Sequence, residues 1–322
     1  GKGAAATAIK VSGKVIDPSK VTKEDVIGAV DPSTGAETGA QVIRQVYPRL
    51  GIVPGLILAP GWSQIPEVGL ALAAKAAKIN GVYSAMALLD LDTAKAKKYT
   101  DTKNVKEESG YTSPFCYPLW PCDRVGEYIL AKSAVAGAMI QYMASDNEDV
   151  PNQSPSNHLL GVGGQCLEDG TEVYLDQDQA NTVNGYGVTT AINQNGYRLW
   201  GNYTGAYPAS SDAKDIWFAV RRMFSWQGNN FIQTYFDEVD DPMNNTLVQS
   251  VVDSENIRCS AYAPKYWAGA SIEYKSDDNP KTVILAGTMK FRQHIAPYTP
   301  AQEIVDIIDY DTDTLAAAVG GN

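Results

Sequence analysis

The apolar positions of this chain fall into short unbroken runs and longer helical stripes, and their order along the chain predicts the architecture. "GLILAPGW" at 55–62 is an apolar run closed by Pro-Gly, the mark of a short buried strand. An alanine-rich stretch over roughly 65–80 reads as a helix, and "VYSAMALLDLD" at 82–92 as a second apolar strand ending in acids. A short helix is predicted around 92–98, and "PFCYPLWP" at 114–121 as a third strand. Strand, helix, strand, helix, strand is the pattern of βαβ units with a parallel sheet. Upstream, within 15–50, "SKVTKEDVIGAV" lies between two Asp-Pro turns and carries a helix start, with Ser19 or Thr22 as cap and acids in the first turn.

Beyond the third strand, "GEYILAKSAVAGAMIQYMA" at 126–144 reads as a helix rich in small residues, and 145–157 as a loop. Short apolar runs cut by Gly, Asn and Asp make 159–197 a β-rich or irregular connector. In 211–236 a Ser/Asp cap precedes Ile216, Val220 and Phe224 on one helical face. Residues 240–257 repeat that design with Leu247, Val248, Val251 and Val252. "TVILAGTMKFRQHI" at 282–295 reads as a strand, and 299–319 has no long amphipathic period.

Composition narrows the function classes. A chain of 322 residues with 44% apolar and 20% charged residues can bury a core of two domains, or of one elaborate one. A net charge of −11 and a pI near 4.7 argue against a direct nucleic-acid partner, which needs clustered Lys and Arg. The apolar stretch "VGLALAAKAAKINGV" at 68–82 is broken by two lysines, so no membrane insertion is expected. No secretory signal opens the chain, and folding in a cytoplasm is the default expectation. Cys116, Cys122, Cys166 and Cys259 form no disulfide framework and read as free thiols.

Candidate chemistry is sparse. His158 and His294 lie far apart in sequence, and Cys116 and Cys122 lack a second pair with zinc spacing. "DQDQ" at 176–179 lacks the glycine turn of a calcium loop, and "GVGG" at 161–164 lacks a nucleotide fingerprint. There is no Gly-x-Ser-x-Gly elbow. No enzyme activity, cofactor or metal is expected. One alternative stays open: a small-molecule site at the carboxyl ends of strands, near Ala59–Ser63 or Asp90–Asp92.

The densest cluster of unusual residues is "GVTTAINQNGYRLWGNYTG" at 187–205. With Gly187, Val188, Thr190, Arg198, Trp200, Gly201, Asn202 and Thr204 it resembles the Gly-Val-x-Thr and Arg-x-Trp-Gly-Asn-x-Thr segments of tail sheath proteins from contractile bacteriophages. The similarity is to the compact type shared with R-type bacteriocins. "GLILAPGWSQIPEVGLALAAKAAKINGVYSAM" (55–86) and "GTMKFRQHIAPYTPAQEIV" (287–305) extend it over most of 55–319, more loosely in 145–185. The family has a longer N-terminal portion with an arm whose counterpart is not found before Ile9, so this chain is expected to lack it.

The resemblance implies an α/β fold, α+β overall. A βαβ-type sheet domain over 1–195, ending in the irregular connector, is followed by a smaller α+β domain over 196–322 with an arm at about 301–322. It implies a structural subunit of a virion tail, made and assembled in the bacterial cytoplasm, that polymerises helically around a tail tube. Contraction then drives the tube through a cell envelope. The partners implied are further copies, the tube protein, and baseplate and tail-terminator proteins. Another tail or baseplate component of the same particle is the alternative.

In this family terminal arms add strands to a neighbour's sheet. Here Ile304, Ile308 and Tyr310 would face the neighbour's core, and Asp306 and Asp309 would meet bases on the receiving strand, Lys281, Lys290 and Arg292. The charge contrast supports this pairing: acids and bases nearly balance over 196–300, whereas 303–313 carries five acids and no base. Arg198, Trp200, Gly201, Asn202 and Thr204 would form a domain junction, and Arg221 and Arg222 would touch the tube or a neighbour.

Overall fold

The computed structural model describes Gly13 and residues 17–320, so the stretch before Ile9 lies outside the described residues. Helix α1 (Lys23–Ile27) starts at Thr22, whose side chain and that of Asp25 cap each other's backbone N–H, and α2 (Val46–Leu50) ends on left-handed Gly51. Then β1 (Leu56–Leu58), α3 (Pro66–Ala77), β2 (Met86–Asp90), α4 (Thr102–Ser109) and β3 (Cys116–Leu119) build two parallel crossovers, with β2 in the centre of the sheet. The predicted helix at 92–98 is a turn; the helix lies ten residues later, because Asp92 folds back to accept the N–H of Ala94.

Every residue of β2 is buried, as expected of a central parallel strand covered on both faces. Its alternation sorts the layers. Ala87 and Leu89 join α3's Val68, Leu72 and Ala76 in one core, whereas Met86 and Leu88 pack against Ala136, Met139 and Ile140 on the other side. That second layer is α5 (Lys132–Ser145). The helix expected from 126 starts later: β4 (Cys122–Val125) and β5 (Tyr128–Leu130) form a hairpin first, and β6 (Gly164–Cys166) pairs on the other side of β4. Two glycines let the helices approach. A Cβ on Gly69 would lie 2.0 Å from the Tyr111 hydroxyl, and one on Gly137 would touch Leu58 and Leu88 at 3.5–3.6 Å.

The connector contains α6 (Gln177–Gly185) and an antiparallel hairpin of β7 (Thr190–Asn193) and β8 (Tyr197–Trp200). The boundary expected between 195 and 196 falls in that hairpin's turn, where Asn195 and Gly196 have positive φ. Strand pairing holds Tyr197–Trp200 against Thr190–Asn193 across that turn. After α7 (Ala213–Ile216), α8 (Phe218–Thr234) crosses between lobes: Phe218 stacks on Tyr117 at 4.0 Å, while Met223 sits in a third core with Val150, Cys259, Tyr266 and Trp267.

The second lobe packs α8 and α9 (Asn245–Tyr262) on a ribbon of β9 (Trp267–Glu273) and β10 (Arg292–Pro297). The strand predicted over 282–295 is a correction. Its first part is α10 (Lys281–Leu285), started by Pro280 at its N-cap, and only the end enters β10. The segment expected to be an arm follows, without regular structure from Ala301 to Asp311 and closing in α11 (Thr312–Ala318).

Candidate assembly surfaces

The Trp-Gly-Asn segment sits where β8 hands the chain to α8. Gly201 has φ +150°, and a Cβ there would lie 2.5 Å from Thr189 Oγ1 and 2.7 Å from Thr189 Cα, so only glycine fits against β7. Trp200 Nε1 donates to Asn181 (2.8 Å), and Arg198 donates to the carbonyls of Gln194 (3.1 Å) and Asn157 (2.8 Å). The Asn202 carbonyl receives the first N–H of α8 from Phe218 (2.9 Å), and Thr204 Oγ1 donates to the Asp215 carbonyl (2.5 Å). A stack of Tyr207, Tyr203 and Trp217 with centroids 3.7 and 4.7 Å apart closes the joint. The segment thus fixes the start of the helix that joins the lobes.

Lys106 belongs to the same region. Its ammonium is buried, donates to the carbonyls of Tyr186 (2.9 Å) and Tyr207, and meets no carboxylate. Burial pulls its pKa down to about 8.

The alternative small-molecule site contains polar groups that engage one another. Asp90 accepts from Ser63 Oγ (2.9 Å), Ser133 N (2.8 Å) and Ser133 Oγ (2.5 Å), and Lys132 pairs with Asp123 at full burial. Burial pushes the Asp90 carboxyl above its ordinary range in spite of those donors. Among the described residues no group of three or more His, Cys, Asp or Glu is placed to hold a metal. His158 is exposed, and His294 pairs with Glu273 at 2.9 Å. The four cysteines are free thiols.

The arm is where apolar surface lies open. Ile304 (89%), Ile308 (86%), Ile307 (81%) and Tyr310 (76%) are exposed, and no described ion pair involves Glu303, Asp306 or Asp309. Gln302 tethers its base by accepting from the Tyr203 hydroxyl (2.6 Å).

The β9–β10 ribbon has two unlike outer edges. On β9, Asn256 of α9 receives the Ile272 N–H (3.0 Å) and donates to the Ile272 carbonyl (3.0 Å), occupying that side. Among the described residues the outer edge of β10 has no strand partner. Neither β9 nor Asn256 was marked by the sequence: "WAGASIE" carries small residues where a strand usually carries β-branched ones.

The three predicted receiving bases scatter. Lys281 is on α10, off the strand; Lys290 lies in the preceding loop, its backbone held by Asn279; Arg292 starts β10 but is already paired with Asp278 at 2.5 Å. Arg221 is committed inside the chain, to Asp215 at 3.1 Å and over the Phe115 ring, because α8 turns it toward the junction. Arg222 lies over Phe218 with its guanidinium 5.5 Å from the ring centroid.

Comparison with known proteins agrees with this architecture. No family model matches the chain. It is 26% identical to the tail sheath protein of Burkholderia phage BcepMu across 98% of this chain and 68% of that protein. It is 23% identical to the tail sheath protein of Escherichia phage P2, across 88% of this chain and 69% of that one. A putative prophage major tail sheath protein of Pseudomonas aeruginosa is 29% identical over 68% of this chain and 54% of its own length. Among solved structures, the sheath of the extracellular contractile injection system PVC in its contracted state superposes with a TM-score of 0.68 at 17% identity, covering 86% of this chain and 76% of that one. The contracted helical sheath of the anti-feeding prophage gives 0.63 at 18% identity, over 88% and 76%. The chain is thus similar in sequence to tail sheath proteins and in fold to the sheaths of contractile injection systems.

Proposed function

We propose that the chain is the repeating subunit of a contractile sheath, stacked helically around a tail tube and shortening to drive that tube through an envelope, and that its role is mechanical and not enzymatic. Work then comes from the free-energy difference between two lattices of the same subunits, summed over many copies. Baseplate and terminator proteins at the ends of the lattice are the further partners, and assembly takes place in the host cytoplasm.

The observation that carries this reading is the C-terminal segment, which has no regular secondary structure over 301–311, with Ile304 89% and Ile308 86% exposed, and follows a two-stranded ribbon in the same chain. Isolated, such a segment leaves its apolar side chains in water and its backbone without partners. Added to a neighbour's sheet, it satisfies both. Because Asn256 occupies β9 at Ile272, the edge of β10 is the one the arm joins. A tether of this kind lets neighbouring subunits change orientation without separating. Of the three receiving bases Lys290, in the loop that leads directly into β10, is left as the neighbour of that edge, since Arg292 is engaged and Lys281 lies on α10.

Negative-stain electron microscopy of the concentrated chain, with and without residues 301–322, tests the proposal. Striated hollow tubes from the complete chain, and dispersed folded monomers from the truncated one, are expected. Tubes that persist without the arm would show that linkage resides elsewhere.

A further inference from the structure

Two charged surfaces have no role in arm exchange. The first follows β2. Lys95, Lys97, Lys98 and Lys103 are exposed within nine residues and enter no ion pair among the described residues. Exposed Glu107 and Glu108 follow further along α4, and the acids nearest the four lysines are otherwise placed. Glu67 is taken by Lys23 at 2.8 Å, Asp101 caps the backbone at Lys98, and Asp169, held by Thr171, only senses Lys97 through space. Over residues 93–103 four lysines stand against one carboxylate, Asp101, which makes the stretch positive in a chain of net charge −11.

The second surface is the turn between α8 and α9. It carries Asp237, Glu238, Asp240 and Asp241, again without an ion pair, beside exposed Phe236 (62%) and Val239 (64%). The turn is held in shape by a 3-10 turn at Phe236–Glu238 and by Tyr235, whose hydroxyl meets Ser254 (3.1 Å) and Glu255 (3.1 Å).

We propose that these two surfaces meet between copies: the lysine patch at 95–103 docks the acidic turn 236–241 of a second copy of this chain. Rigid surfaces on different lobes that complement each other, but do not pair within one chain, make a head-to-tail contact. A contact of that type propagates into an open helix and does not close into a dimer. The arm is the competing acidic occupant, but it is a tether that follows its neighbour through any orientation. The turn and the patch are fixed to their lobes and meet in one relative orientation. The contact therefore selects one lattice geometry, whereas the arm only preserves linkage. Four charges on each side give it a steep dependence on salt.

This inference rests on the sheath reading, and the test separates the two. Self-association of the full chain is measured by sedimentation equilibrium at 50 and 500 mM salt for four proteins. They are the unchanged chain, K97E/K98E, D240K/D241K, and the fourfold combination, with thermal unfolding as a check that each is folded. Each double reversal is expected to weaken association about tenfold at low salt, and the fourfold swap to restore it. Weakening by K97E/K98E alone would assign the patch to the arm and overturn the proposal. Association indifferent to all three variants would overturn it and leave the sheath reading standing. No association of the unchanged chain at either salt would overturn both.

Discussion

At the scale of single residues, two positions show how one atom's surroundings set the outcome. Gly201 lies at φ +150° with Thr189 against its missing side chain. Gly201→Ala forces a methyl into that contact and an L-residue into a region it avoids. A loss of about 3 kcal/mol is expected, read from urea midpoints. Lys106 offers a pH test. Its folded pKa is depressed to about 8 from 10.5, so between those values the unfolded chain holds a proton that the folded chain has released. Stability on this account rises with pH across that window, by about 3 kcal/mol in total, and is lowest below pH 8 where the buried ammonium is charged. Lys106→Met, titrated by thermal unfolding from pH 7 to 10.5, should lose that rise. A variant that keeps the wild-type slope would locate the effect in another group.

At the scale of elements, the arm and the β10 edge make a register prediction. Residues alternate across a strand, so Ile304, Ile308 and Tyr310 share one face with Asp306, and Val305 and Ile307 share the other with Asp309. If the first face meets the neighbour's core, Ile304→Ser with Ile308→Ser should abolish tube formation, while Val305→Ser with Ile307→Ser weakens it less. Equal effects would mean that both faces are covered. On the receiving side, Asn256→Ala frees the Ile272 N–H and carbonyl. A stability loss of about 1–2 kcal/mol is expected in denaturant titration, because two hydrogen bonds are lost beside a buried strand residue.

At the scale of the whole molecule, the two lobes are tied by groups that do not slide easily. Asn229 of α8 exchanges hydrogen bonds of 2.8 and 2.9 Å with the backbone of Ser84, and Phe218 stacks on Tyr117. The buried carboxylate of Glu255 gathers Arg258, Gln227 and Gln293 at 2.6–2.8 Å, locking α8, α9 and β10 together. Asn229→Ala should loosen the joint without unfolding either lobe, read as faster hydrogen exchange at Ser84 with little change at β2. Global destabilisation instead would show that the lobes do not fold independently.

Periodicity alone determined much of the architecture. The run of "SAMALLD" and its flanking helices specify a buried parallel strand, because side chains covered on both faces must be apolar without alternation. The Trp-Gly-Asn segment stood out as a crowd of glycine and small hydrogen-bonding residues, and only the family resemblance suggested a junction there. Tertiary structure decided the rest. Lys281 to Leu285 carries β-branched residues that read as strand, yet Pro280 at the N-cap and the pull of Asn279 on Lys290 make it a helix and a loop. The partner of Arg292 is Asp278, fourteen residues away, and Arg221 faces Asp215; no local pattern encodes which charge another will meet. The arm is the inverse case. The resemblance implies a strand there, but among the described residues the segment pairs with no strand, since backbone pairing depends on the edge a segment meets.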